Sequence, residues 1–467
     1  MKKNEVLAGL VSRLGSNGEG IIKNENYTIF IPYALPGEKV RFQVLKVNKN
    51  IVYGKMLEIL TPAEDRIRPA CPVFEKCGGC QLQHMNYRNQ LKLKTAVVKD
   101  CLSKIAFINY EVPLTVKSDI EYGYRNKLQL PVRSTPKGNI IGFFAENSHR
   151  IVSIGKCAVQ ADWAEKVISA IKNYIETVKV PCFNEEKNEG LLKHVVLREV
   201  KEYLFITLVI NGETAPHTEF LINELMQNFK NFSLFLNVNT VNSNVIMGDR
   251  FIHVFGEEKI VAEDMGISYE MGPESFMQIN DNVKRKIYIE AQKIAETDKN
   301  TVVIDAYSGA GMLTALFAKE AKKAIGIEIV KEAVECADKV KEMNGLDGKM
   351  ENICAACEDV LPDIIAKEKA ENAKCVLVLD PPRQGVDVKV LEAVLKSKPE
   401  KIIYISCSPQ TLSRDLGILL GTLIITENGL TKSENPVSGY KLNSVQPFDM
   451  FPQTKHVETV VLMSRNI

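Results

Sequence analysis

From about residue 275 onward, short apolar runs alternate with helical stretches. The runs are Val302–Ile304, Ala324–Ile327, one ending near Cys357, Val376–Leu379 and Ile402–Ser406. Helical periodicity follows several of them, around 311–320 and 330–343. Repeating βα units of this kind build a doubly wound parallel sheet. In such a sheet ligands bind beyond the carboxyl ends of the strands. The residues that end each run are therefore the first candidates for function.

Those residues are acids and a thiol. Asp305 opens Asp305-Ala-Tyr-Ser-Gly309-Ala-Gly311, whose glycines let the backbone turn tightly beside a ligand. The third glycine of the dinucleotide fingerprint is missing, and a strand-end carboxylate invites a cation rather than a pyrophosphate. That favours S-adenosylmethionine, with its sulfonium and ammonium, over NAD. Glu328 ends the next run and is placed to accept hydrogen bonds from ribose hydroxyls. Asp359, after the third run, faces an adenine or caps a helix. Asp380 begins Asp380-Pro-Pro-Arg383, which is similar to the fourth-strand motif of nucleic-acid methyltransferases.

Cys407, in Ser406-Cys-Ser-Pro409, follows the fifth run. A thiolate there is a candidate nucleophile. Its presence points to a carbon target. Carbon 5 of uracil attacks a methyl sulfonium only once a nucleophile has added to carbon 6, and a base must then remove the carbon 5 hydrogen. Glu458, opening an apolar run in Thr454-Lys-His456-Val-Glu458, is the candidate base, with His456 adjacent. RNA cytosine methyltransferases carry a second cysteine where this chain has Pro382, so uracil is favoured over cytosine.

The 467 residues divide into three expected domains: an all-β, OB-like barrel over 1–60, a central α+β domain over 61–270, and the α/β, Rossmann-like domain over 271–467. Residues 1–150 hold 23 Lys and Arg against 13 Asp and Glu, and the remainder 36 against 45. A basic front end suits a polyanionic partner, with Arg125 and Lys127 as candidate contacts. No apolar run is long enough for a membrane helix and no secretory signal is apparent, so a cytoplasmic protein, here expected to be a monomer, is implied. In a reducing compartment the trio Cys71, Cys77 and Cys80, joined by Cys157, reads as a ligand set for zinc or an iron–sulfur cluster, the uneven spacing leaning to the cluster. A redox dithiol at Cys77 and Cys80 is the further reading.

Together these residues resemble the RNA uracil-5 methyltransferases, in particular the iron–sulfur type with an N-terminal TRAM domain that modifies 23S ribosomal RNA. The resemblance runs nearly end to end. It implies a 4Fe–4S cluster on Cys71, Cys77, Cys80 and Cys157, and S-adenosylmethionine held by Gln278, Tyr307, Glu328, Asp359 and Asp380. It also implies Phe276 beside the target base, Cys407 as nucleophile and Glu458 as base. Met312, Ser308 and Asp359 depart from residues seen in some relatives, and Met312 removes an asparagine contact to the cofactor. The tRNA-specific bacterial branch lacks barrel and cluster, which tilts the expected substrate to 23S ribosomal RNA over tRNA. A redox-sensing RNA-binding protein without catalysis is the rival from another class.

Overall fold

The computed structural model describes residues 1–241, 243–275, 277–426 and 429–466. At the N-terminus six strands, β1 (Val6–Leu10), β2 (Arg13–Leu14), β3 (Gly20–Lys23), β4 (Thr28–Ile31), β5 (Lys39–Asn48) and β6 (Ile51–Thr61), form one sheet in the order β1-β5-β6-β4-β3-β2. Strict alternation drives it. Ile29 and Ile31 point inward from β4, and Val40, Phe42 and Val44 from β5, into a core of their own. The sheet curls until Gly9 of β1 lies against Ile22 of β3, where an added Cβ would come within 2.9 Å of Ile22 Cγ2. This is the small β domain expected from the turn-rich N-terminus.

Helix α1 (Tyr87–Lys104) follows, capped by Asn86, whose side chain accepts from the Asn89 N–H. The central sheet contains β7 (Lys127–Thr135), β8 (Gly138–Phe144), β9 (Ile151–Ser153), β10 (Leu192–Val200), β11 (Tyr203–Ile210), β12 (Phe232–Val238) and β13 (Arg250–Phe255), in the order β13-β12-β11-β10-β7-β8-β9. Helices α2 (Trp163–Val178) and α3 (Thr218–Met226) cover one face, packing on Leu128, Leu197 and Leu208. The other face sends Val200, Phe205 and Phe235 into the core of the C-terminal domain.

A hairpin, β14 (Ile260–Asp264) and β15 (Ile267–Met271), leads into that domain. There α4 (Asp281–Ala295), β16 (Thr301–Ala306), α5 (Met312–Glu320), β17 (Lys323–Glu328), α6 (Lys331–Met343), β18 (Met350–Cys354), α7 (Cys357–Ala370), β19 (Lys374–Leu379), α8 (Val388–Ser397), β20 (Lys401–Ser406) and α9 (Pro409–Leu419) alternate. A short hairpin, β21 (Leu423–Thr426) and β22 (Gly429–Lys432), precedes β23 (Tyr440–Phe448) and β24 (Glu458–Arg465). The sheet order is β18-β17-β16-β19-β20-β24-β23, with the first five strands parallel and β24 antiparallel to both of its neighbours, β20 and β23. Strands β16, β19 and β20 are buried on both faces, which explains their unbroken apolar runs. Strand order reverses at β16, so the crevice beyond β16 and β19 is the expected ligand site.

Helix α1 lies in the stretch expected to belong to the central domain, yet its Val98 and Leu102 join the C-terminal core with Leu412 and Leu416 of α9. Among the described residues no helix is long and apolar enough to cross a membrane.

Candidate active site

Strand β20 stops at Ser406 because the next residues build a locked turn. The Ser406 hydroxyl accepts from the Ser408 N–H at 3.1 Å and donates to the Ser408 carbonyl at 3.1 Å. Ser408 then caps α9 by accepting from the Thr411 N–H at 3.4 Å, and Pro409 takes the first helical position. Cys407 is held half-buried between strand and helix. Antiparallel β24 pairs Thr459 with Ser406, so one further step of the register sets Glu458 opposite Cys407. Nucleophile and base, 51 positions apart in the numbering, share one sheet end.

The segment before Glu458 is anchored from far away. Gln90 of α1 donates to Gln453 Oε1 at 2.9 Å and accepts the Gln453 N–H at 3.0 Å. Fully buried Lys94 pairs with fully buried Asp449 and donates to the Phe451 carbonyl at 3.0 Å. The Gln453 carbonyl accepts the N–H groups of Gln81 and Leu82, which follow Cys80. Gln453 itself has φ 71°, a strained conformation that these contacts hold in place.

The site's charge is almost wholly acidic. Burial, then Asp380, pushes the Glu458 carboxyl up to about 8, with Arg383 opposing. Burial, with Asp305 adding, pushes Asp380 up to about 7. Burial also lifts Asp305 to about 7, against a 2.6 Å hydrogen bond from the Thr314 hydroxyl, and Glu328 adds to the rise. The Cys407 thiol is pushed up to about 11 by burial and the Glu458 charge, with Arg383 opposing. Such a cleft attracts a cation, and a carboxyl that titrates near neutrality suits a general base. His456 is pushed down to about 4 by burial and by Arg383, so its ring stays neutral.

The glycine turn after β16 is stitched to β17. Tyr307 and Ser308 N–H groups both donate to the Ile327 carbonyl, at 3.0 and 3.1 Å. Glu328 accepts from the Gly309 N–H at 3.0 Å and the Val330 N–H at 2.9 Å. Tyr307 adopts φ 69°, and Gly311 packs so closely that a Cβ would lie 2.7 Å from Ala337 Cβ. Asp305, Glu328 and Asp380 thus ring the sheet end. Asp359 sits differently: β18 ends at Cys354, and Asp359 is exposed in the first turn of α7, with a main-chain bond to Ala356 but no side-chain cap. Gln278 is half-buried, its carbonyl accepting from Asn126 Nδ2 at 3.0 Å, and Asn280 caps α4 and donates to the Met450 carbonyl at 3.1 Å. Phe276, which the resemblance sets beside the target base, lies outside the described residues.

Two residues acquire importance only here. Arg383 is the cation acting on Cys407, Glu458 and His456, and its place three residues after Asp380 was the available signal. Tyr288 of α4 senses Asp380, Asp305 and Glu458, which with burial push its phenol up; nothing local in the sequence marks it.

Cys71, Cys77, Cys80 and Cys157 line one small cavity of about 40 Å³, with Arg125 and Gln83 on its wall. Gly78 makes the loop possible, since a Cβ there would meet the Glu146 backbone at 2.9 Å. Burial raises the Cys77, Cys80 and Cys157 thiols, Cys80 up to about 12; neighbouring cysteines add, and Arg125 opposes. Among the described residues no three Cys, His, Asp or Glu side chains are arranged to hold a single metal ion.

The tRNA (uracil-5-)-methyltransferase family model matches residues 86–466, and the TRAM domain model matches residues 3–57. An uncharacterized RNA methyltransferase of Clostridium tetani is 38% identical over 99% of this chain and 97% of its own length. Another, of Clostridium acetobutylicum, is 37% identical over 100% and 98%. The Pyrococcus abyssi tRNA (uracil-54, C5)-methyltransferase, solved with S-adenosyl-L-homocysteine, superposes with a TM-score of 0.75 at 26% identity, covering 98% of this chain and 99% of that one.

Proposed function

Because this chain belongs to the tRNA (uracil-5-)-methyltransferase family, and so is an S-adenosylmethionine-dependent RNA methyltransferase, we propose that it methylates carbon 5 of a uridine through a covalent cysteine adduct, most fittingly in 23S ribosomal RNA. The observation that carries the reading is the β20–β24 register, which sets Cys407 opposite Glu458 at the sheet end ringed by Asp305, Glu328 and Asp380. S-adenosylmethionine supplies an electrophilic methyl group on a sulfonium. Cys407 adds as thiolate to carbon 6 of an extruded uridine, and the electron pair moves through carbon 5 onto the carbonyl oxygen. The electron pair would return through carbon 5 to the methyl carbon as the sulfonium carbon–sulfur bond breaks, leaving S-adenosylhomocysteine. Glu458 then accepts the carbon 5 proton, the carbon 5–carbon 6 double bond re-forms, and the Cys407–carbon 6 bond breaks. The acids hold the donor's positive charge beside the nucleophile. Burial first, and the Glu458 charge second, hold the thiol neutral, so a bound cationic donor would favour the thiolate.

Gln278, Tyr307, Glu328, Asp359 and Asp380 are the proposed cofactor residues within a methyltransferase domain over 271–467. The central domain over 61–270 carries the proposed cluster site. Cys71, Cys77, Cys80 and Cys157, half-buried around one cavity, are the proposed ligands, and three close cysteines plus a distant one suit a 4Fe–4S cluster better than zinc. Such a cluster would tie the 71–80 loop to β9's exit and supply structural support.

A second reading is 5-methyluridine formation in tRNA. The Pyrococcus abyssi enzyme named for tRNA matches this chain at full length, so barrel and central domain do not by themselves select ribosomal RNA. Incubation of purified protein with unmodified 23S transcript and with tRNA transcript, followed by nucleoside mass spectrometry, separates the two. 5-Methyluridine in neither would sink the proposed reaction.

A further inference from the structure

The central sheet carries two cations that the chain leaves without partners. Arg198 of β10 pairs across the sheet with Lys127 of β7 and with Phe205 of β11. Directly paired residues share a face. That face is the one on which Phe205 meets the methyltransferase domain, whereas Leu128 and Leu197 point the other way, to α2. Arg198 is only 3% exposed, and its Nε and Nη1 lie buried with no hydrogen-bond partner among the described residues. Among the described residues neither Lys127 nor Arg198 makes an ion pair. Leaving a buried charge without a counter-charge is strongly unfavourable.

The surrounding carboxylates are engaged elsewhere. Glu199 accepts from the Trp163 indole at 2.7 Å. Asp281 is bound by Lys284 at 2.8 Å, and Asp264 by Lys284 and Arg285. Glu274 is exposed, lies 3.9 Å from Lys259, and acts on Arg198 only as a nearby charge without an ion pair. The cations also repel one another: burial and Arg198 push Lys127 down to about 8, and burial lowers Arg198 to about 10. The location matters as well. Asn126, next to Lys127, binds the Gln278 carbonyl and, through its own N–H, the Ile279 carbonyl.

We propose that Lys127 and Arg198 form an anion pocket between the central sheet and the methyltransferase domain, and that it takes a backbone phosphate of the RNA close to the extruded uridine. The RNA part of this assignment rests on the RNA-methylation reading above. A phosphodiester supplies two acceptor oxygens to a guanidinium fork and a charge to the ammonium beside it. Lys127 is half-buried where Arg198 is buried, so of the two cations it is the one solvent reaches.

The experiment uses full-length protein and the variants Arg198→Met and Lys127→Met, each removing charge at similar volume. Three quantities are read: melting temperature with and without inorganic phosphate, RNA affinity across salt concentrations, and affinity for S-adenosylhomocysteine. Phosphate should raise the melting temperature of wild type but not of either variant. RNA affinity should fall about tenfold, and the salt slope should shrink by about one in each variant. S-adenosylhomocysteine affinity should not change. In phosphate-free buffer neither variant should melt lower than wild type, since an uncompensated charge has been removed.

A variant that melts lower, or keeps wild-type phosphate response, overturns the pocket. Loss of phosphate response with unchanged RNA affinity and slope overturns the RNA assignment. Loss of S-adenosylhomocysteine affinity alone reassigns the pair to the cofactor carboxylate. If phosphate and RNA behave as expected but wild type forms no 5-methyluridine, the proposed reaction fails and the pocket stands.

Discussion

Cys407 and the cysteine quartet carry the same side chain, and burial pushes Cys407 and three of the four clustered thiols towards the neutral form, yet their neighbours differ. Around Cys407 the charges that add to the rise are carboxylates, Glu458 and Asp380, against the cation Arg383. Around Cys77, Cys80 and Cys157 they are other cysteines, with Arg125 as the cation in attendance. A thiol among acids becomes a thiolate when a mobile cation arrives, so its reactivity is tied to donor binding. Thiols facing one another ionise together only around a resident metal centre. Local charge, more than burial, therefore separates a nucleophile from a ligand.

The comparison breaks most visibly at Cys407. Cys407→Ala should lower 5-methyluridine formation by at least about 10⁴-fold, since no other group replaces the nucleophile, while RNA affinity measured by fluorescence anisotropy stays unchanged. Retained turnover would end the distinction. Next, Glu458→Gln should slow turnover by about 10²–10⁴-fold and let a covalent RNA–protein adduct build up on denaturing gels. A slow variant with no adduct would show that Glu458 acts before carbon 5 is methylated.

For the other side, Cys80→Ala and Cys157→Ala should abolish the iron content and visible absorption of anaerobically purified protein and lower its melting temperature. Methyl transfer per folded molecule should fall far less than in Cys407→Ala. Stoichiometric zinc in the wild type would replace the cluster reading.

The smallest effect is one of pH. Glu458 has a folded pKa near 8, above its unfolded value, so the native state binds the extra proton between them. Stability should therefore fall as pH rises from about 4.5 to about 8. Glu458→Gln, free of this loss, should be more stable than wild type at pH 9 by about 2–4 kcal/mol, with the gap closing towards pH 4. Denaturant melts without cofactor measure it; a gap independent of pH would contradict the assignment.

The parallel strands were legible because β16, β19 and β20 are buried on both faces and read as solid apolar runs. Their ends then drew attention to Asp305, Asp380 and Cys407. Strand β18 lies at the sheet edge, half-exposed, with Glu351 interrupting its pattern. Its end was therefore read near Cys357, three residues beyond Cys354, where β18 stops. Residues defined by packing between domains left no local trace. The Lys127–Arg198 pair exists only because β7 and β10, far apart in the chain, become neighbours. Helix α1 shows a plain amphipathic pattern that says nothing about which core it will join.

The link between Gln90 and Gln453 has a consequence in time. These residues are 363 positions apart, and Lys94 and Asp449 are 355 apart. On the ribosome α1 emerges early, and its Gln90 and Lys94 stay unmet until the segment between β23 and β24 has been made. At about 5–20 residues per second that interval is on the order of 20–70 seconds. The strand bearing Glu458 is threaded between β20 and β23 only afterwards. Nascent chains are thus inert by construction, because the proposed base arrives last.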